Sequence, residues 1–248
     1  MDLGLDGRTA IVSGASSGMG LAIAEALAQE GANVAMFARR REVLDVEAER
    51  IGALGVRGDL TVPADLERLV ERTVAAFGGI DVLVLNGGGP APGRALDVEP
   101  EQIEEAVELL VLPFLRLTRL CLPYLAKNGH GRVILIESTS VKQPIDNLVL
   151  SNAIRPGVVG WAKTLSREVG AQGITVNTIA PGRIDTERLR ELYDGQEPPP
   201  EALAEIPLGR LGTPREIGDV VCFLASSRAS YVSGTVIAVD GGSGRTLW

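Results

Sequence analysis

No stretch of the chain approaches the roughly 20 consecutive apolar residues that a membrane-spanning helix requires, so a membrane protein is not expected. The first residues, Met1-Asp2-Leu3-Gly4-Leu5-Asp6, carry neither the basic region nor the apolar core of a signal peptide. Cysteine is scarce. Cys121 and Cys222 lie far apart in apolar helical patterns, which reads as two small core residues rather than a disulfide or a metal pair and fits a reducing cytoplasm. There is no basic excess either: 24 Lys and Arg stand against 32 Asp and Glu, interspersed, for a formal net charge of −8. A nucleic-acid footprint is therefore not expected, and the acidic balance favours solubility. The single histidine, His130, sits in the turn-like Asn128-Gly129-His130-Gly131 and reads as a surface residue rather than a base. No internal repeat, low-complexity tract or interdomain linker divides the 248 residues, a length that suits one large α/β domain with a sizeable core.

What the chain does have is a glycine turn, Ser13-Gly14-Ala15-Ser16-Ser17-Gly18-Met19-Gly20, between the apolar run Thr9-Ala10-Ile11-Val12 and an amphipathic run from Leu21 to Gln29. Strand, glycine turn and helix start together suit a pyrophosphate. Glycine permits positive φ and close approach, and the helix offers unpaired N–H groups and a positive dipole end. The spacing of Gly14, Gly18 and Gly20, G-x-x-x-G-x-G, differs from the commoner G-x-G-x-x-G. Ser16, Ser17 and Met19 belong to the same candidate cofactor site.

Beyond the turn the pattern predicts strands at 33–38, 55–57, 80–85, 132–136, 174–179 and 236–239. Helices are predicted at 40–51, 63–77, 100–127, 149–170 and 214–225. This alternation argues for an α/β fold, a single-domain, doubly wound parallel sheet of Rossmann type flanked by helices. Residues 185–207, charged and containing Pro198-Pro199-Pro200, read as an insertion that forms a substrate lid.

Over essentially its full length the chain resembles the short-chain dehydrogenase/reductase family, closest in pattern to its 3-oxoacyl-carrier-protein reductase-like members. The resemblance rests on Ser13 to Gly20, Gly58-Asp59-Leu60, Leu85-Asn86-Gly87-Gly88, Gly131 to Ser138, Asn177 to Gly182 with Thr186, and Val239-Asp240-Gly241-Gly242. It implies Asp59 and Leu60 near an adenine, and Asn86, Gly87 and Gly88 beside a ribose. It also implies Pro181, Gly182, Ile184 and Thr186 on the nicotinamide side, with Asp240 structural. Further implications are hydride transfer between a nicotinamide cofactor and a small-molecule carbonyl or secondary alcohol, and a homo-oligomer of four subunits, as in relatives. The leucines at 109, 110, 112, 115, 117, 120 and 122 and the terminal Trp248 would supply surface for that assembly. At the end of the second strand Ala38 stands where an acidic residue would accept a ribose 2′-OH, and Arg39 and Arg40 follow. This favours NADP(H), with NAD(H) as the alternative.

The resemblance breaks at the chemistry. Ser138 holds the family's serine position, but thirteen residues on is Ser151 instead of tyrosine, four further is Arg155 instead of lysine, and Leu110 replaces the asparagine. No shifted register restores the motif, because Tyr124, Tyr193 and Tyr231 are followed four residues later by Asn128, Glu197 and Thr235. Serine is a far weaker acid than a phenol of pKa about 10, and arginine supplies a fixed charge rather than a titrating amine. Ser138, Ser151 and Arg155 are the candidate catalytic residues, Lys142 is an unassigned ionisable group nearby, and Pro156 is expected to kink or delay its helix. Two readings follow: an oxidoreductase with an altered centre, whose activity Ser151→Tyr with Arg155→Lys should raise, or a cofactor-binding sensor or scaffold.

Overall fold

The computed structural model describes residues 2–127, 129–193 and 195–247, so the terminal Trp248 assigned to subunit contacts, like Asn128 of the His130 turn, lies outside the described residues. An interior strand, β1 (Thr9–Ser13), is buried along its whole length and pairs in parallel with β2 (Asn33–Ala38) on one side and β4 (Val82–Leu85) on the other. With β3 (Leu54–Arg57), β5 (Arg132–Ile136), β6 (Thr175–Pro181) and β7 (Val236–Val239), it forms a parallel sheet ordered β3-β2-β1-β4-β5-β6-β7. The fold is thus the doubly wound one read from the sequence. Successive strand side chains point to opposite faces, and both faces are covered, so the strands are apolar at nearly every position. Ala10, Val12, Met36, Val84 and Ile134 pack beneath α1 (Gly18–Gln29) and α9 (Pro214–Ala225), through Ile23, Leu27, Ile217 and Val221. Ile11, Phe37, Leu83 and Leu135 face α3 (Pro63–Phe77), α5 (Leu112–Leu125) and α6 (Val149–Val169), through Leu66, Phe114, Leu117 and Val158.

Local chemistry sets the ends of the helices. Pro63 opens α3, Gly52 and Gly78 close α2 (Arg41–Ile51) and α3 in the left-handed conformation, and Thr213 and Glu216 form a reciprocal cap on α9. Cys121 and Cys222 are free and buried in α5 and α9, and burial pushes both thiols up, that of Cys222 to about 12. No helix among the described residues is long and apolar enough to cross a membrane.

The structure corrects two of the helix expectations. The helix expected over 100–127 is two, α4 (Pro100–Leu110) and α5, because Pro113 has no N–H to offer the Leu109 carbonyl and the chain turns at Val111 (φ −103°, ψ −62°). Pro156, conversely, neither delays nor interrupts α6, which starts at Val149 and runs through it. Burial of Leu150, Val158, Ala162 and Leu165 outweighs the lost hydrogen bond, as tertiary packing commonly does for helices. The insertion at 185–207 carries two short helices, α7 (Glu187–Leu192) and α8 (Pro200–Ala204).

The tightest point in the fold is Gly20, where an added Cβ would overlap the Gly14 carbonyl oxygen and lie 2.7 Å from Asn86 Nδ2. Gly20→Ala is expected to destabilise the protein by about 3 kcal/mol, the upper part of the usual overpacking range. Gly79→Ala, with nothing within 4 Å of its Cβ position, should leave the thermal midpoint nearly unchanged.

Candidate functional site

Strand order reverses between β1 and β4, and the crevice beyond the carboxyl ends of these two strands is where open parallel sheets bind ligands. The chain there is stitched across the gap. Ser13 Oγ donates to the Asn86 carbonyl at 2.7 Å and accepts from the Asn86 N–H at 2.9 Å, while Asn86 Nδ2 donates to the carbonyls of Ser13 and Gly14 at 3.1 and 3.2 Å. Gly14 and Gly18 take φ of +61° and +56°, conformations that disfavour any side chain. Helix α1 then opens at Ser17 with no side-chain cap and no acidic residue in its first turn, so its amino end keeps free donors and a positive dipole end. These features fit a pyrophosphate, and Gly14, Ser16, Ser17, Gly18, Met19 and Gly20 are the residues that would hold it.

The two arginines after β2 differ. Arg40 Nη2 donates to Ser17 Oγ at 2.7 Å and its Nη1 lies 3.6 Å from Glu187 of α7, so Arg40 is engaged by the turn and by α7. Arg39 is exposed and has no hydrogen-bond or ion-pair partner among the described residues. Asp59 is partly committed, since its Oδ1 accepts from the N–H and Oγ1 of Thr61, and Leu60 packs beside Gly87. Gly88 borders open space, with nothing within 4 Å of a Cβ position. Pro181 is buried at the end of β6. Gly182 owes its identity to packing, since a Cβ there would lie 2.7 Å from Asp240 Cβ. Asp240 in turn accepts from the N–H groups of Gly242 and Gly244, the structural role expected of it. Ile184 is buried, and Thr186 caps α7 by accepting from the Leu189 N–H at 3.2 Å, with its methyl 3.4 Å from a Cβ position on Gly18. The start of the 185–207 segment therefore lies against the glycine turn.

The three candidate catalytic residues fall into two groups. Ser138 is half-exposed, and its Oγ accepts from the Ser140 N–H at 3.1 Å, which leaves its own proton free to donate. Ser151 and Arg155 are buried, 5% and 7% exposed, and look inward. Arg155 donates from Nη1 to Glu137 Oε2 at 2.7 Å, from Nε to Ser151 Oγ at 3.1 Å, and from Nη2 to the Gly88 carbonyl at 3.2 Å. Ser151 Oγ also lies 3.0 Å from Ser140 Oγ. The sequence reading thus missed Glu137 and Ser140. The legible signal was a carboxylate directly after the apolar strand residues Val133 to Ile136, where only a buried cation could balance it. Arg188 was missed as well: its Nη2 donates to the Pro90 carbonyl at 2.9 Å and ties α7 to the loop after β4. Lys142 is half-exposed beside this cluster, with no side-chain partner among the described residues. His130 is not simply a surface residue. It is half-buried against Arg132 at the opposite, amino end of β5, where burial and the charges of Arg132 and Arg8 lower its pKa.

With this geometry in hand, the class of protein is clear. The chain matches the family model described as enoyl-(acyl carrier protein) reductase over residues 14–244, and it belongs to the short-chain dehydrogenase/reductase family, with 3-oxoacyl-carrier-protein reductase-like relatives. It is 36% identical over 242 residues to the 3-oxoacyl-(acyl-carrier-protein) reductase FabG of Escherichia coli K12, covering 97% of this chain and 98% of the relative. Among solved structures it is similar to YwfH, an NADPH-dependent reductase involved in bacilysin biosynthesis, at a TM-score of 0.92 and 26% identity over 97% of this chain and 99% of that one. It is also similar to an NADPH-bound short-chain oxidoreductase of Pseudomonas aeruginosa PAO1 described as containing an atypical catalytic center, at a TM-score of 0.90 and 28% identity over 96% and 97% of the two chains.

Burial raises the pKa of Glu137 and the neighbouring Arg155 guanidinium draws it back, leaving it above its ordinary 4.5. A carboxyl whose folded pKa is raised contributes most stability below its unfolded value and loses that contribution as pH rises through the folded value. Arg155→Ala, which leaves this carboxylate unpaired, is expected to destabilise by about 3–5 kcal/mol at neutral pH. The deficit should shrink as pH is lowered toward 4.5 and Glu137 takes up a proton. Thermal melts across that range check the sign, and a deficit that grows on acidification would contradict it.

Proposed function

We propose that the protein is an NADP(H)-dependent oxidoreductase acting on a small-molecule carbonyl or secondary alcohol, through a centre in which Ser138 is the hydroxyl that meets the substrate oxygen. The observation that carries the cofactor half is the uncapped amino end of α1 beside a free Arg39, with Ala38 where a competing carboxylate would stand. Both structural relatives named above are described as NADPH proteins. Calorimetry is expected to show tighter binding of NADPH than of NADH. Ala38→Asp with Arg39→Ala should reverse the order, and Arg39→Ala alone should cost NADPH more affinity than Arg40→Ala, because Arg40 is already held by Ser17 and Glu187. Wild-type preference for NADH would end this reading.

Bound there, NADP(H) supplies or accepts the hydride. The chain's own part is to hold the substrate oxygen through the free Ser138 proton, and the family's tyrosine position holds the buried Ser151, which offers no phenol to protonate a developing alkoxide. Since a positioned acid typically contributes about 10²–10⁴-fold, ordinary ketones should be reduced slowly and Ser138→Ala should slow them further. The burial of Ser151 and Arg155 also favours a second reading, a cofactor-binding protein without turnover. The same burial changes the expectation for restoring the family pair. Ser151→Tyr with Arg155→Lys leaves the Glu137 carboxylate to capture the new lysine, so the double change should recover little, and adding Glu137→Ser should recover more. A ketone panel with NADPH checks this, and brisk wild-type turnover insensitive to Ser138→Ala would overturn it.

We further propose a homo-oligomer working in the cytoplasm, assembled over the partly exposed apolar residues Ile103, Leu109, Leu112 and Leu115 of α4 and α5, with residues 185–207 as the lid. Light scattering that returns the 26.1 kDa monomer mass would refute the assembly.

A further inference from the structure

The guanidinium of Arg155 commits all three of its nitrogens, each to a different part of the fold: Glu137 at the end of β5, Ser151 one turn back on α6, and the carbonyl of Gly88 after β4. Gly88 lies in the run Gly87-Gly88-Gly89, which has no regular secondary structure and no side chains of its own to fix it. Such backbone is entropically expensive to hold in one conformation, so an anchor from outside the run decides where it lies. Its neighbours on the far side are held by the Arg188 bond to Pro90, and Arg155 is the corresponding tie on the near side. Glu137 completes the device. Its side chain is 0% exposed, its N–H extends the ladder to the Ile179 carbonyl at 2.9 Å, and its Oε1 has no hydrogen-bond partner among the described residues. Among the described residues, Arg155 alone balances this carboxylate, and this carboxylate alone orients Nη1 of Arg155. A lysine could not substitute, because a single ammonium lacks the planar fork that reaches three directions at once.

In a doubly wound sheet the first three strands serve one mononucleotide and the strands beyond the switch point serve the other. Gly88, directly after β4, belongs to the second half, whereas Arg39, after β2, belongs to the first. Resting on the reading that this crevice takes NADP(H), we propose that Glu137 is a positioning residue for the nicotinamide half of the cofactor: it holds Arg155 so that the guanidinium fixes the Gly88 carbonyl and, with it, the loop that floors that half. Glu137 itself never touches the ligand.

The test separates the two halves. NADPH and 2′,5′-ADP, which carries the adenine half alone, are titrated by calorimetry into wild type, Glu137→Gln, and Glu137→Gln with Arg155→Met, with thermal melts alongside. NADPH is expected to bind about tenfold more weakly to both variants, the scale of one charge-assisted hydrogen bond, while 2′,5′-ADP keeps its wild-type affinity. The double variant leaves no unpaired buried charge, so it supplies a folded protein even where the single change does not. Equal weakening of both ligands, unchanged NADPH affinity, or failure of both variants to fold overturns the proposal, because each outcome makes the pair a general structural element or an idle one. A wild type that binds neither ligand instead overturns the cofactor reading on which the proposal rests.

Discussion

The close crossing of the glycine turn and the end of β4 is the constraint on which both the fold and the site depend. Asn86 reaches across to the carbonyls of Ser13 and Gly14, and Ser13 reaches back to the Asn86 main chain, so two strands whose connecting helices run to opposite sides are locked at their carboxyl ends. That lock brings α1 so near to the turn that no side chain fits at Gly20, and the same proximity leaves the first amide groups of α1 facing the crevice. The uncapped amino end of α1 thus follows from how β1 and β4 meet at their carboxyl ends. A ligand's charge then satisfies donors that the helix itself cannot.

The second constraint is electrostatic. An arginine buried where the family has a lysine near substrate needs a counter-charge, and Glu137 provides it at 2.7 Å. Once paired, the guanidinium no longer projects a net charge into the cleft, and the serine at 151 is too short to project a hydroxyl past it. The polar groups have turned inward: Arg155, Ser151 and Ser140 satisfy one another, and Ser138 alone of this cluster is half-exposed. Of the side chains at these positions, Ser138 and the neighbouring Lys142 are the ones left partly open to solvent.

Residues 185–207 are held differently. Arg40 with Glu187, Arg188 with Glu191 and Arg190 with Asp185 are exposed ion pairs, which typically contribute little stability. The firmer ties are the Thr186 cap on α7 and the Arg188 bond to Pro90. The segment is therefore tied most firmly at Thr186 and Arg188, and more weakly along its outer face.

Much of this was determined locally and could be read from the sequence. Strand and helix alternation, the glycine turn with its flanking elements, the arginines after β2 and the missing tyrosine and lysine are all matters of order and spacing along the chain. The split of the 100–127 helix was also latent in Pro113, whose missing donor acts within four residues, whereas the passage of α6 through Pro156 was not, because burial by distant strands decided it. The partners within the site were a tertiary matter too. Ser151 and Arg155 looked like residues facing a substrate because their positions in the chain matched that role. Whether a side chain faces the cleft or the core depends on what lies across from it, and the carboxylate across from Arg155 is 18 residues away, at the end of a different element. Spacing reveals which residues share a strand or a helix turn. A charge pair between β5 and α6, and the loop it fixes after β4, exist only once the sheet has set those elements side by side.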